Sequence, residues 1–179
     1  MHLELAKMLW RGHLSPGDLA IDATCGQGRD TLYLCQLGAT VLGLDTQEEA
    51  IEKTKALLAQ HAKQATLLCA SHATFPSLPA PPRLIVYNLG YLPGGNKKFT
   101  TQTETTLQSV SAALELVSPD GAVSITCYPG HPEGEQEERA LLELVSTLPS
   151  QRWLVSHHRC LNRRRAPSIL WIRQVLKAC

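Results

Sequence analysis

The sequence predicts a single α/β domain, residues 1–179, built on a doubly wound and mostly parallel sheet that closes in a C-terminal antiparallel hairpin. Three observations predict it. Short apolar runs alternate with amphipathic stretches of helical length, the pattern of strand–helix–strand units with right-handed crossovers. The last two apolar runs, 153–160 and 168–175, leave no room for a helix between them and must pair antiparallel. A chain of 179 residues at 44% hydrophobic content holds one full core.

Residues 3–11 place Leu3, Leu5, Ala6, Met8 and Leu9 at helical spacing and open the chain with a helix. Ser15-Pro16-Gly17 is a turn, and 18–22 is a short apolar strand. A helix over 29–36 ends at Leu37-Gly38. The second strand is 39–45, followed by a charged amphipathic helix over 48–61 and a third strand over 66–70. Four prolines in 75–82 exclude a long helix there. A buried fourth strand covers 84–87, a helix 103–116, a turn 118–121 and a fifth strand 122–128. The helix over 135–148 carries acids in its first turn, which complement the helix dipole. No internal repeat, low-complexity tract or linker divides the chain.

Composition narrows the function classes. No apolar run reaches the roughly 20 residues that span a bilayer, and residues 1–7 lack the pattern of a signal peptide. These features predict a soluble, cytoplasmic protein with no membrane partner. Six cysteines form no C-x-x-C pair and no zinc-spaced cluster, so reduced structural thiols and no metal are expected. The net charge of +1 conceals an asymmetry. Residues 1–150 hold 16 acids and 10 Lys/Arg, a net −6, whereas residues 151–179 hold seven Lys/Arg and no acid. A basic block of this kind suits an anionic partner, or else a solvated strand edge guarded by charge.

In open α/β sheets, ligands bind beyond the carboxyl ends of the strands. The first such loop here is Thr24-Cys25-Gly26-Gln27-Gly28, where glycines permit tight turning and close backbone approach. The dinucleotide fingerprint needs a third glycine at position 31, where this chain has Thr31. Asp22 stands where a carboxylate can face the cationic end of a ligand, and Asp45 where one can accept from both ribose hydroxyls. Gln47, Ser71 and His72 follow the second and third strands, within reach of an adenosine. Acids and a missing glycine disfavour a pyrophosphate and NAD. They favour S-adenosylmethionine, which has no phosphate and one sulfonium.

The fourth strand runs into Asn88-Leu89-Gly90-Tyr91-Leu92-Pro93-Gly94-Gly95. Asn88 to Tyr91 resembles the Asn/Asp-Pro-Pro-Tyr loop of amino-methyltransferases, departing from it at both proline positions. In that loop the Asn side chain accepts a hydrogen bond from the target amine and the aromatic ring packs on the substrate. A methyl acceptor amine must be neutral, and alignment supplies most of the remaining rate. His131 follows the fifth strand on the same rim, as a base, a phosphate contact, a helix cap or a solvated residue. Lys97 and Lys98 are candidates for contact with an anionic substrate, as are Arg163, Arg164 and Arg165. Trp153 and Trp171 either stack on bases or belong to the core.

Taken together, these motifs resemble a known family. Residues 22–32, Asp-Ala-Thr-Cys-Gly-Gln-Gly-Arg-Asp-Thr-Leu, resemble its Asp-Ala-Thr-x-Gly-Asn-Gly-x-Asp-Thr signature. Residues 88–95 resemble its second motif and 102–106, Gln-Thr-Glu-Thr-Thr, the segment that follows. Tyr128-Pro-Gly-His-Pro-Glu-Gly resembles the fourth, and Leu161-Asn162 with Pro167 the last. The group is the YtqB/MnmM-like family of class I, S-adenosylmethionine-dependent methyltransferases, long described as rRNA methylases. Class I methyltransferases share the doubly wound sheet with a C-terminal antiparallel hairpin. The resemblance implies N-methylation of 5-aminomethyl-(2-thio)uridine at the tRNA wobble position, giving the methylaminomethyl product. It implies an anticodon arm as partner, gripped by the domain's own rim and a possible second subunit. Gln27 stands where the family has Asn, and the 163–165 tail is more basic than the family pattern. An rRNA or small-molecule amine methyltransferase is the first alternative, and a non-catalytic RNA- or nucleotide-binding module the second.

Overall fold

The computed structural model describes residues 2–89 and 102–175. The elements follow the chain as α1 (His2–His13), β1 (Leu19–Asp22), α2 (Arg29–Gln36), β2 (Thr40–Asp45), α3 (Glu48–Gln60) and β3 (Thr66–Cys69). They continue as β4 (Leu84–Asn88), α4 (Thr103–Leu116), β5 (Ala122–Cys127), α5 (Pro132–Ser146), β6 (Trp153–His158) and β7 (Ser168–Gln174).

The seven strands form one sheet in the order β3-β2-β1-β4-β5-β7-β6. β1 to β5 pair in parallel, while β7 is antiparallel to both β5 and β6. The hairpin is therefore present, but with its second strand inside: β7 inserts beside β5 and leaves β6 at the edge. The burial pattern explains the choice. β7 offers Ser168 to Ile172 as a continuous buried run, which suits a position between two strands. β6 offers one buried residue, Trp153, and a more polar remainder suited to an edge.

Two cores cover the two faces. Ala6 and Trp10 of α1, Leu32 and Leu34 of α2 and Leu58 of α3 pack over one face. Val110, Ala113 and Leu114 of α4, with Leu141 and Val145 of α5, pack over the other. α1 is also fastened to the sheet by a buried hydrogen bond, in which Trp10 Nε1 donates to Ser124 Oγ of β5 at 2.9 Å. Trp153 and Trp171 are 5% and 9% exposed and belong to these cores, which rules them out as open stacking platforms.

The element bounds differ from expectation in two places that matter. β4 extends one residue further and ends on Asn88, which Thr126 of β5 pairs in register. α5 begins at Pro132, three residues earlier than expected, because Pro lacks an N–H to satisfy and His131 caps the helix. Strand polarity then gathers Asp22, Asp45, Asn88, Cys127 and His158 at one end of the sheet. The start of β7 joins them, since Ser168 faces Cys127.

Candidate active site

The glycine loop is shaped by hydrogen bonds that cross between strands. Gly26 adopts φ 52° and its N–H donates to Asp45 Oδ2 at 2.9 Å. Asp45 Oδ1 accepts the Gln47 N–H at 2.9 Å, so one carboxylate ties the loop after β1 to the start of α3. Gln47 is the N-cap residue of α3 by its extended backbone. Gly28 has φ 78° and caps α2. A Cβ on Gly28 would meet Thr54 Cα at 2.8 Å, so this glycine serves close packing of α2 against α3.

Thr31 does more than break a fingerprint. Its hydroxyl donates to Asp22 Oδ2 at 2.6 Å, and the Thr24 N–H donates to Oδ1 at 3.1 Å. Asp22 is wholly buried, and its pKa is pushed up to about 7. Burial is the main cause and the neighbouring Asp30 charge the second, with the two donors opposing them. Asp22 therefore lies beneath the loop, engaged by its two donors, with no open face toward the rim.

Asp30 is a site residue that sequence reasoning alone misses. It lies in the first turn of α2, 9% exposed, and its Oδ2 accepts from Asn88 Nδ2 at 3.0 Å. Burial raises its pKa, while the hydrogen bond from Asn88 and the charges of Lys7 and Arg29 pull it back. The Asn88 N–H donates to Thr24 Oγ1 at 2.8 Å, so both ends of Asn88 are tied to the glycine-loop region. Tyr128, just beyond β5, places its hydroxyl 3.4 Å from His2 Nε2, and burial lifts its phenol to about 12. His2 stands edge-on to Tyr128 with ring centroids 5.6 Å apart. The signal for Asp30 is present in the sequence, inside the 22–32 motif. What periodicity does not show is that the α2 N-terminus and the β4 C-terminus converge.

The other predicted residues are placed as follows. Ser71 is exposed and its Oγ accepts the Ala73 N–H at 3.1 Å, closing a local turn. His72 is 8% exposed and edge-on to Tyr87, and burial lowers its pKa. Its Nδ1 is buried with no hydrogen-bond partner among the described residues. His131 Nδ1 accepts the Gly134 N–H at 3.1 Å as the α5 cap and also lies 3.1 Å from Glu133 Oε2. One nitrogen cannot accept and donate together, so the Gly134 cap and the Glu133 contact are alternatives set by the tautomer. Of the four roles left open for His131, the geometry supports the cap. Arg163, Arg164 and Arg165 are exposed on the β6–β7 connection, where Arg165 adopts φ 57° and sits 3.7 Å from Glu135. Tyr91, Lys97 and Lys98 lie outside the described residues. Among the described residues no cluster of His, Cys, Asp or Glu is arranged to hold a metal, and no helix is long and apolar enough to cross a membrane.

The donor set suits a nucleoside with a cationic end. The loop 22–28 carries carboxylate and hydroxyl groups and no Lys or Arg, which disfavours a pyrophosphate. Asp45 keeps lone pairs beyond those used by Gly26 and Gln47, and His72 Nδ1, without a partner among the described residues, lies just past the third strand. A sheet of this order, with an acid at the end of β2 and an amide at the end of β4, defines a class I methyltransferase, the class that uses S-adenosylmethionine. Comparison with known proteins narrows the class. The family model described as "Putative rRNA methylase" matches residues 41–174. A tRNA (mnm(5)s(2)U34)-methyltransferase, chloroplastic, of Arabidopsis thaliana is 35% identical over 185 residues, covering 94% of this chain and 68% of that protein. The crystal structure of an rRNA methylase from Clostridium thermocellum, described as putative, superposes with a TM-score of 0.93 at 29% identity over 97% of each chain. A Streptococcus mutans methyltransferase, likewise so described and solved in complex with SAH, gives 0.89 at 32% over 98% of each. The chain belongs to this rRNA-methylase family, of YtqB/MnmM-like proteins.

Proposed function

We propose that this protein is an S-adenosylmethionine-dependent tRNA methyltransferase that converts 5-aminomethyl-(2-thio)uridine at the wobble position to its methylaminomethyl form. The observation that carries the reading is the side chain of Asn88, held at the end of β4 by Asp30 at 3.0 Å. The name of the Arabidopsis relative supports the acceptor. The bound cofactor supplies a methyl group already activated on sulfur. Asp45 would hold its ribose hydroxyls, with Gln47, Ser71 and His72 along the adenosine side and Gly26, Gln27 and Gly28 giving backbone approach.

The chain's own part is alignment. A carboxylate accepts only, so Asp30 fixes which end of the Asn88 amide is the donor. The amide carbonyl is then the end offered to the substrate amine, accepting its N–H and turning the nitrogen lone pair toward the methyl group. Asp30 acts through Asn88 and is a positioning residue. Tyr91 would pack on the substrate, and Lys97, Lys98 and Arg163 to Arg165 would meet RNA phosphates. His131 contributes by starting α5 at the rim.

The test is mass spectrometry of wobble nucleosides after incubating the protein and cofactor with tRNA lacking the final methyl group. Appearance of the methylaminomethyl nucleoside is expected. Methyl incorporation into rRNA or a free amine, with none at the wobble uridine, would overturn the acceptor and keep the methyltransferase.

A further inference from the structure

A cavity of about 470 Å³ opens beside the catalytic rim, between the first turn of α1 and the β6–β7 connection. Its walls include His2, Leu5, His158, Arg159, Leu161 and Ile169. Register puts it on the same end of the sheet as Asn88. Asn88 pairs Thr126 on β5, Thr126 pairs Ile169 on β7, and Ile169 pairs His158 on β6. Three strand spacings of about 4.8 Å separate Asn88 from His158, roughly 14 Å along the rim. Contacts also run continuously between the two places. The Tyr128 ring lies near Asn88, and its hydroxyl sits 3.4 Å from Nε2 of the His2 ring that forms one wall.

The chemistry of the cavity is uneven in an informative way. Its floor is apolar, with Ile169 1% exposed and Leu5 half-buried. Its walls carry imidazoles, and among the described residues none that lines it is acidic, Glu138 standing behind His157 at 3.6 Å. Arg159 is exposed at the mouth, next to Leu161, which is 88% exposed, and Arg163 and Arg164 follow on the same connection. An apolar floor with flat rings takes a base, and a cationic mouth takes the phosphate attached to it. The cofactor loops lie at the other half of the rim, beyond β1, β2 and β3, so this cavity belongs to the substrate half.

We infer that this cavity binds one unpaired RNA nucleotide neighbouring the methylated one, its base on the Leu5–Ile169 floor between His2 and His158 and its phosphate on Arg159. The inference rests on the RNA acceptor proposed above. The basic C-terminal segment would then hold the loop open so that the target base reaches Asn88. Loop nucleotides splayed onto protein surfaces are the usual way RNA is read by sequence or shape.

The test compares binding and turnover on the same RNA, an anticodon stem-loop, with intact or abasic residues on either side of the target. Fluorescence anisotropy reads affinity, and methyl incorporation reads the reaction. Arg159→Ala and the cavity-filling Leu5→Trp are compared with the wild type, with thermal melts confirming that each folds. On the wild type, one abasic position should weaken binding about tenfold, the scale of one lost base contact. Leu5→Trp should weaken binding of the intact loop similarly and abolish the difference between intact and abasic RNA. Arg159→Ala should raise KM by several-fold with kcat and SAH binding unchanged. Equal affinity for intact and abasic loops, or an abasic effect that survives Leu5→Trp, would overturn the inference. If the wild type binds the loop in an abasic-sensitive way and yet methylates nothing at the wobble position, the acceptor fails and the cavity stands.

Discussion

Removing the Asp30 carboxylate is the sharpest test of how Asn88 works. In Asp30→Ala the Asn88 amide loses its acceptor at 3.0 Å, and its two orientations about the last torsion become comparable in energy. A hydrogen bond to a charged acceptor in a buried setting contributes about 1.5–3 kcal/mol. If that energy serves alignment of the amine in the transition state, kcat/KM falls about 10- to 150-fold, at a factor of ten per 1.36 kcal/mol. Single-turnover methyl transfer to unmethylated tRNA measures the fall, and stabilisation by SAH should remain. Asp30→Asn keeps an acceptor but loses the charge, and it should recover part of the lost rate. Stability at neutral pH should hold or rise, because a buried carboxylate and its repulsion of Asp22 are both removed. A kcat/KM within twofold of the wild type in Asp30→Ala would refute the alignment argument. So would a loss fully explained by weaker SAH binding.

Three further expectations follow from the same geometry. Thr31→Val removes a 2.6 Å hydroxyl donor from the buried Asp22 carboxylate, at a cost of about 1–3 kcal/mol. Differential scanning fluorimetry at pH 7.5 should show Tm lower by several degrees, and an unchanged Tm would count against the bond. Because the folded-state pKa of Asp22 is raised to about 7, its contribution to stability is fully present below its unfolded value near 3.8 and is lost as pH rises through 7. Asp22→Asn should therefore gain on the wild type between pH 5 and 7.5, by about 2.5 kcal/mol in urea unfolding, and a constant difference across that range would contradict the shift. Arg163→Ala with Arg164→Ala removes two exposed cations from the β6–β7 connection. The slope of log affinity for tRNA against log salt should shallow by about 1.5–2, as for two lost phosphate contacts, and an unchanged slope would place the RNA elsewhere.

Much of this molecule is written locally. The alternation of apolar runs and helical stretches determined every strand and helix within a few residues, because burial of one face sets periodicity directly. The lack of room for a helix between the last two strands determined their antiparallel pairing. The glycines at 26 and 28 with Asp45 marked this loop as the candidate nucleoside site, since positive φ and a terminal carboxylate are properties of single residues. Tertiary structure decided what depends on convergence. Only the register of β4 with β5, and the approach of α2, brought Asp30 to Asn88 across 58 positions of sequence. Only the insertion of β7 beside β5 carried the basic connection to the Asn88 end of the sheet. The glycine loop kept its place but changed its meaning. Gly28 answers to Thr54, and Thr31 answers to a buried Asp22. A sequence states which groups are present, whereas hydrogen bonds between distant residues exist only once a sheet has fixed their separation to a few tenths of an ångström.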